Sequence, residues 1–238
     1  ELAIEDSVSF DLDSIKIAGV DVPAEGKIWL SHKGDSWTVA QKPSADEKGP
    51  HRYGMFKDAI NNNVLFVYGS KGSKAQKAWA LTKARYDAER FWYQGNGSIE
   101  IISDKEFDAT ATKDRNVILY GNADTNSAWK TLLADCPVLV KNGNVQIGDR
   151  TLQGKDKACL FIYPRPDSDN ASVGVVSGSG LLGMKLTNKR SYLAAGFAFP
   201  DLMVFSPQLL NGDSDGINVA GFFGLDWSLE NGDFVWNE

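Results

Sequence analysis

The chain has 238 residues, 42% of them hydrophobic and 24% charged, with a net charge of −6 and an isoelectric point near 5.0. That is enough apolar material to bury a substantial core without help from a metal or a disulfide, so disorder is excluded. The acidic balance excludes nucleic acid as a partner, because phosphate binding takes clustered Lys and Arg, and no apolar run nears the roughly 20 residues that a bilayer span needs.

The sequence starts at Glu1 rather than Met, the expectation for a mature or trimmed fragment. Residues 1–48 read as a small β-rich segment. Val8-Ser9-Phe10-Asp11-Leu12 and Ile15-Lys16-Ile17 alternate apolar and polar side chains, and Lys27 to Leu30 opposes Ser36 to Val39 across Lys33-Gly34-Asp35, a hairpin pattern. Gln41 to Gly54 then gathers Pro43, Gly49 and Pro50 among charged residues, which is linker chemistry. The remainder, 49–238, reads as one α/β domain.

Three short apolar runs in that domain close on glycine, as buried parallel strands do: Val64 to Gly69, Asn116 to Gly121 and Val173 to Gly178. After the first, the loop Gly69-Ser70-Lys71-Gly72-Ser73 leads into a helix over Ala75–Tyr93. Its predicted apolar face holds Ala78, Trp79, Leu81, Ala84, Ala88, Phe91 and Trp92, and Gly95-Asn96-Gly97 stops it. Lys71, Lys74 and Lys77 read as a solvated face at its start. Ile99–Ile102 is a strand, and Thr125 or Asn126 caps a helix that runs through Leu133 and buries Trp129 and Leu132. Asn142-Gly143 between Val138-Leu139-Val140 and Val145-Gln146-Ile147 predicts a type I′ hairpin. Further strands are expected over 158–163, 172–176, 202–205 and 218–222. The interleaving predicts an α/β fold: a three-layer, Rossmann-like, mostly parallel sheet with antiparallel additions, preceded by a small antiparallel β segment.

Catalytic equipment is sparse. His32 and His51 are the two histidines, read as solvent-exposed turn residues, and Ser177-Gly178-Ser179-Gly180 lacks the G-x-S-x-G elbow of a hydrolase nucleophile. Cys136 and Cys159 sit apart, and buried free thiols explain them at least as well as a disulfide. Gly178 to Gly183 fits G-x-G-x-x-G behind a strand. The residues that follow, with Gly183, Thr187, Asn188 and Ser191, make a poor helix, and Asp201 precedes a strand instead of ending one. A tight glycine turn is the stronger reading. Gly69 to Ser73 lacks phosphate-loop spacing and reads as a polar turn with an N-cap serine. Asn211, Asp213 and Asp215 stand before Gly216 like the opening of a calcium loop, but Phe222 occupies the twelfth position, where a bidentate acid belongs. A polar turn is favoured there, with a weak calcium site as the metal alternative and no other cofactor expected. Trp79, Trp92 and Trp129 read as core and Trp227 and Trp236 as cover for a sheet edge, ahead of a sugar-stacking surface.

Open α/β sheets hold ligands at the carboxyl ends of their strands. The candidate ligand-binding residues are therefore Ser70, Lys71, Ser73, Asn122, Asp124, Asn126, Ser177 and Ser179, suited to a small polar or anionic ligand. Two alternatives stand beside that reading: a hydrolase using Asp104, Asp124 or Asp213 with a bound cation, and nucleotide binding through the glycine loops.

Several segments together resemble the C-terminal accessory part of secreted bacterial α/β-hydrolase proteins of the prolyl-oligopeptidase-like or esterase-like type. They are Gly49-Pro50 followed by Met55 to Ala59, Leu65 to Gly69, Asn116 to Gly121, Leu160 to Pro164, Ser177-Gly178, and Val219 to Trp227. In such proteins the catalytic serine, acid and histidine belong to a separate domain, and nothing in this chain matches that domain. The resemblance implies a non-catalytic accessory or interaction domain, a hydrolase domain or hydrolase-type protein as partner, and a periplasmic or extracellular location.

Overall fold

A computed structural model describes residues 15–17, 20–22, 29–33, 36–42, 44–194, 199–212 and 216–237. They fall into two compact units that divide between Ser44 and Ala45. In the first, β1 (Ile15–Ile17) pairs antiparallel with β2 (Val20–Val22), and β3 (Trp29–Lys33) with β4 (Ser36–Ala40), Trp29 opposite Ala40. The expected hairpin is present. The strand expected over Val8–Leu12 and the turn residues Gly34 and Asp35 lie outside the described residues, and His32 stands on β3 rather than in a turn.

The second unit comprises β5 (Leu65–Tyr68), α1 (Lys74–Gly95), β6 (Glu100–Ser103), β7 (Val117–Tyr120), α2 (Trp129–Leu132), β8 (Val138–Lys141), β9 (Asn144–Ile147), β10 (Arg150–Gln153), β11 (Ala158–Pro164), β12 (Ser172–Gly178), α3 (Leu181–Leu186), β13 (Leu202–Phe205), β14 (Ile217–Phe222) and β15 (Asp233–Trp236). Eight strands form one mixed sheet in the order β15-β14-β13-β11-β12-β7-β5-β6, and β8, β9 and β10 form a separate three-stranded sheet. The neighbours β6, β5, β7 and β12 are parallel, whereas β11, β13, β14 and β15 join by antiparallel ladders. The sheet is thus mixed and not mostly parallel. Burial on both faces makes a strand apolar whichever way it runs, so the apolar runs carried no direction. The short connection from Pro164 to Ser172 lets β12 fold straight back on β11, where a parallel neighbour would need a crossover of a dozen or more residues.

Helix α1 begins with a capping box, Ser73 Oγ accepting from the Gln76 N–H while the Gln76 side chain accepts from the Ser73 N–H, and ends at Asn96 in the left-handed region. Its buried stripe is Trp79, Ala80, Lys83, Ala84 and Asp87. Ala78 is exposed and Trp92 is 54% exposed, against the expected face. Lys83 and Asp87, one turn apart at 2.7 Å, neutralise each other well enough to occupy the inner side, which rotates the stripe away from the purely apolar pattern. Helix α2 is a single turn that sets Trp129 against Phe161 at 5.9 Å. Both cysteines are free. Residues of the expected linker belong to the second unit: Arg52 is 1% exposed and its guanidinium donates to the carbonyls of Ala45, Ser168 and Ala171.

Candidate functional site

The order β6-β5-β7-β12 means that the chain leaves β5 toward one side of the sheet and later returns on the other. The crevice between the carboxyl ends of β5 and β7 is the usual ligand position of such a sheet. The structure gathers the three predicted loops there, and the protein's own groups occupy it. Asn126, fully buried, donates from Nδ2 to the carbonyls of Val67 and Tyr120 at 3.0 and 3.3 Å and accepts from the Ala128 N–H at 3.1 Å. The Asp104 carboxylate accepts from the Ser70 N–H at 2.9 Å and from both the N–H and the hydroxyl of Ser127 at 2.6 Å. Burial pushes the Asp104 carboxyl up, but the donors at Ser127 and Ser70 outweigh it and hold the group below the usual carboxylate range.

Most of the remaining candidates are engaged in the same way. Asn122, fully buried, donates to the Gly178 carbonyl at 3.0 Å and to Asn142 Oδ1 at 3.1 Å. Asp124 accepts from the Asn142 N–H at 2.7 Å, Lys71 donates its backbone N–H to the Thr125 carbonyl at 3.0 Å, and Ser179 Oγ accepts from the Lys157 N–H at 3.1 Å. Ser73 is the helix cap. The hydroxyls of Ser70 and Ser177 are buried without a partner, and the Lys71 side chain is exposed. A Cβ on Gly69 would sit 2.4 Å from the Thr125 carbonyl, so the glycine exists to let this loop lie directly on the strand end. The glycine-rich run behaves alike: a Cβ on Gly183 would meet the Lys157 carbonyl at 2.1 Å and one on Gly178 the Met184 nitrogen at 2.3 Å. Close backbone packing accounts for both glycines.

The opposite end of the sheet is open. Tyr163 is level with Val173 at the start of β12, and Val173 with Val117 at the start of β7. Beside it lies a groove of about 630 Å³ lined by Asp135, the β9–β10 turn, Tyr163, the 226–230 loop, Phe234 and Trp236. A second hollow of about 300 Å³ shares Asp135, Tyr163, Asp226 and Trp227 with it. Lys48 positions the 226–230 loop by donating its backbone N–H to the Leu225 carbonyl at 2.8 Å and its ammonium to the Phe223 carbonyl at 2.7 Å. The same ammonium pairs with the fully buried Asp201 and lies 4.8 Å from the Trp227 ring centre. Asp201 also accepts from the Phe223 and Met55 N–H groups.

At the floor of this groove Trp227 is 2% exposed, adopts φ 60° and buries its indole N–H without a partner. A bulky residue in the left-handed region combined with an orphaned donor is strain that the surroundings must impose. Asp226 next to it accepts from the Ser228 N–H and hydroxyl and from Asn231, bonds that hold its carboxyl below the usual range. Asp135, Asp149 and Glu230 line the groove exposed, with no ion pair among the described residues. Arg150 stacks on Trp236, 4.4 Å from the ring centre. Burial, then the nearby Cys136, Asp135 and Asp226, push the Tyr163 phenol up to about 12, so it remains a donor at neutral pH.

Other candidates stand apart. Asn211 ends a one-turn 3-10 helix over Pro207–Asn211, while Asp213 and Asp215 lie outside the described residues. No group of three or more His, Cys, Asp or Glu is placed to hold a metal among the described residues. Burial raises both thiols, against nucleophilic use. His51 is an exposed turn residue bonded to the Ala45 carbonyl at 2.9 Å. The groove itself was missed because its carboxylates come from three separate segments; the one local sign was Gly224-Leu225-Asp226-Trp227, an Asp-Trp pair directly behind a strand. No family model matches the chain, and no curated protein is significantly similar to it.

Proposed function

We propose that the chain is a non-catalytic interaction domain that takes a basic segment of a partner protein into the groove at the amino ends of the parallel strands. The observation that carries this reading is the set of three exposed carboxylates, Asp135, Asp149 and Glu230, which make no ion pair among the described residues, around the aromatic wall of Tyr163, Phe234 and Trp236. Like charges on a concave wall focus a negative potential that draws a cation in, and an aromatic face then holds a guanidinium or ammonium. Arg150 over Trp236 is that contact made within the chain. On the family resemblance the partner is a hydrolase domain of a secreted polypeptide, in the periplasm or outside the cell. The Rossmann-like, three-layer reading of the fold is supported by the β6-β5-β7-β12 order and its β5–α1–β6 crossover.

The rival readings have less support. Asp104 is held ionised by its donors, poor preparation for a general acid, Asp124 is engaged by Asn142, and close backbone packing accounts for Gly69, Gly178 and Gly183 without a nucleotide. Calorimetric titration with hexalysine tests the proposal. We expect saturable binding at low salt that weakens about tenfold or more near 0.5 M salt and disappears in the combined Asp135→Asn, Asp149→Asn, Glu230→Gln variant. Equal binding by that variant would remove the groove from consideration, and ester or peptide turnover by the isolated chain would overturn the non-catalytic reading.

A further inference from the structure

A different cavity, of about 660 Å³, opens between α1 and α3, far in chemistry from the acidic groove. Its walls are the apolar surfaces of Ala75, Ala78, Trp79 and Leu181, and its charged residues are Lys83 and Lys185; no acid lines it. Asp87 pairs with Lys83 behind this lining, so the excess positive charge at the cavity is that of Lys185, in a chain of net charge −6. The volume lies within the usual range for small-molecule sites.

Two buried donors beside this cavity are under-served. Trp79, 8% exposed, buries its indole N–H without a partner. Lys83 is 4% exposed and gives one N–H to Asp87 Oδ1 at 2.7 Å, while its ammonium otherwise lies over the rings of Tyr192 at 4.9 Å and Tyr86 at 5.4 Å. Asp87 in turn divides its charge, because Tyr120 at 3.1 Å and Tyr192 also donate to it. Aromatic faces attract the ammonium but do not replace an oxygen acceptor, and a buried donor left without one costs free energy. The exposed Lys185 adds a second cation at the rim.

We infer that this cavity binds an unbranched aliphatic monocarboxylate, the carboxylate held by Lys83 and Lys185 and the chain lying along Ala75, Ala78, Trp79 and Leu181. Apolar walls supply the affinity through burial of the chain; the N–H donors that Lys83 keeps beyond the one given to Asp87, with the exposed Lys185, select the anionic head over a neutral one. The proposal is independent of the basic-segment reading, since hexalysine has no place in this cavity.

Calorimetry with dodecanoate on the whole chain, below its micelle concentration, tests it. Dodecanoate should bind one to one, and dodecanol about tenfold or more weaker, the loss of one charge-assisted contact. Ala78→Trp, an exposed lining position, should fill the cavity and abolish binding with the fold intact by circular dichroism. Lys185→Gln should weaken dodecanoate severalfold and leave dodecanol unchanged. Lys83→Met should also weaken dodecanoate, but it strands Asp87, so the decision rests on the other two variants. Dodecanol binding as tightly as dodecanoate, undiminished binding by Ala78→Trp, or no binding of dodecanoate at all would each overturn the inference.

Discussion

The two ends of the eight-stranded sheet are built from the same kinds of residue and arranged to opposite effect. At the carboxyl ends of β5, β7 and β12, Asn122, Asn126, Asp104, Ser127 and Ser179 turn inward and bond to one another's loops and to the strand-end backbone, leaving the buried hydroxyls of Ser70 and Ser177 without a partner. At the amino ends, Asp135, Asp149 and Glu230 stand in solvent around aromatic rings, above a tryptophan held in an uncomfortable backbone conformation. Polar residues near a strand end thus show where loops meet, while the number of donors and acceptors left over shows whether a ligand has room. By that measure the end where α/β sheets usually bind, with two orphaned hydroxyls against three unpaired carboxylates and the orphaned Trp227 N–H among the described residues, is the more closed one.

The largest expected effect tests the closure. Asn126→Leu removes two donors from the Val67 and Tyr120 carbonyls and an acceptor from the Ala128 N–H, with no water able to reach a fully buried position. A loss of about 3 kcal/mol is expected, a fall in Tm of roughly 10 °C by calorimetry. A nearly unchanged Tm would mean that the crevice is looser than its hydrogen bonds imply, and would reopen the carboxyl end as a binding site.

Asp104→Ala comes next, at about 2 kcal/mol, because the Ser70 and Ser127 N–H groups lose their acceptor. The sign of its pH dependence sharpens the point. The folded-state carboxyl is depressed below 3.8, so its contribution is full above that value and is lost as pH falls through the lowered one. Acid unfolding followed by circular dichroism should be steeper in the parent chain than in Asp104→Ala; identical profiles would deny Asp104 its structural role.

A smaller effect probes the open end. Tyr163 is shifted from 10.0 to about 12; since the folded value is the higher one, its contribution is complete below pH 10 and is lost as pH climbs toward 12. Burial also raises the phenols of Tyr120 and Tyr192 well above the usual value, so absorbance titration near 295 nm should show several late phenols, of which Tyr163→Phe removes one with a midpoint near 12, and Asp135→Asn should move that midpoint down by taking away a neighbouring negative charge. Titration of Tyr163 at an ordinary value would mean that the groove is more solvated than its lining suggests.

Much of this was legible in the residues. The apolar runs that end at Gly69, Gly121 and Gly178 located central strands, Asn142-Gly143 located a hairpin, with Gly143 at φ 104°, and Gly95-Asn96-Gly97 located the end of α1. Strand direction was not legible, because Leu160-Phe161-Ile162 is buried equally well in either sense. Nor was the engagement of the candidate site: Asn126 reads as a free cap until Val67, nearly sixty positions earlier, is seen to accept from it. β10 and β15 escaped because Arg150–Gln153 and Asp233–Trp236 are short edge pieces, and Trp92 looked like core only because its helical spacing matched a stripe that Lys83 and Asp87 had displaced.

The smallest stability change is the most telling about the groove. Asp135, Asp149 and Glu230 are exposed and make no ion pair among the described residues, so replacing all three by their amides should move stability by no more than about 0.5 kcal/mol, upward if mutual repulsion dominates. Chemical denaturation measures this directly. A fall of several kcal/mol would show the carboxylates to be structural, like Asp104, and the contrast between the two ends would vanish. An unchanged or slightly raised midpoint, together with lost hexalysine binding, would separate function from folding at these positions: carboxylates that do not hold the fold together and that, with no ion pair among the described residues, are left for a partner's cations.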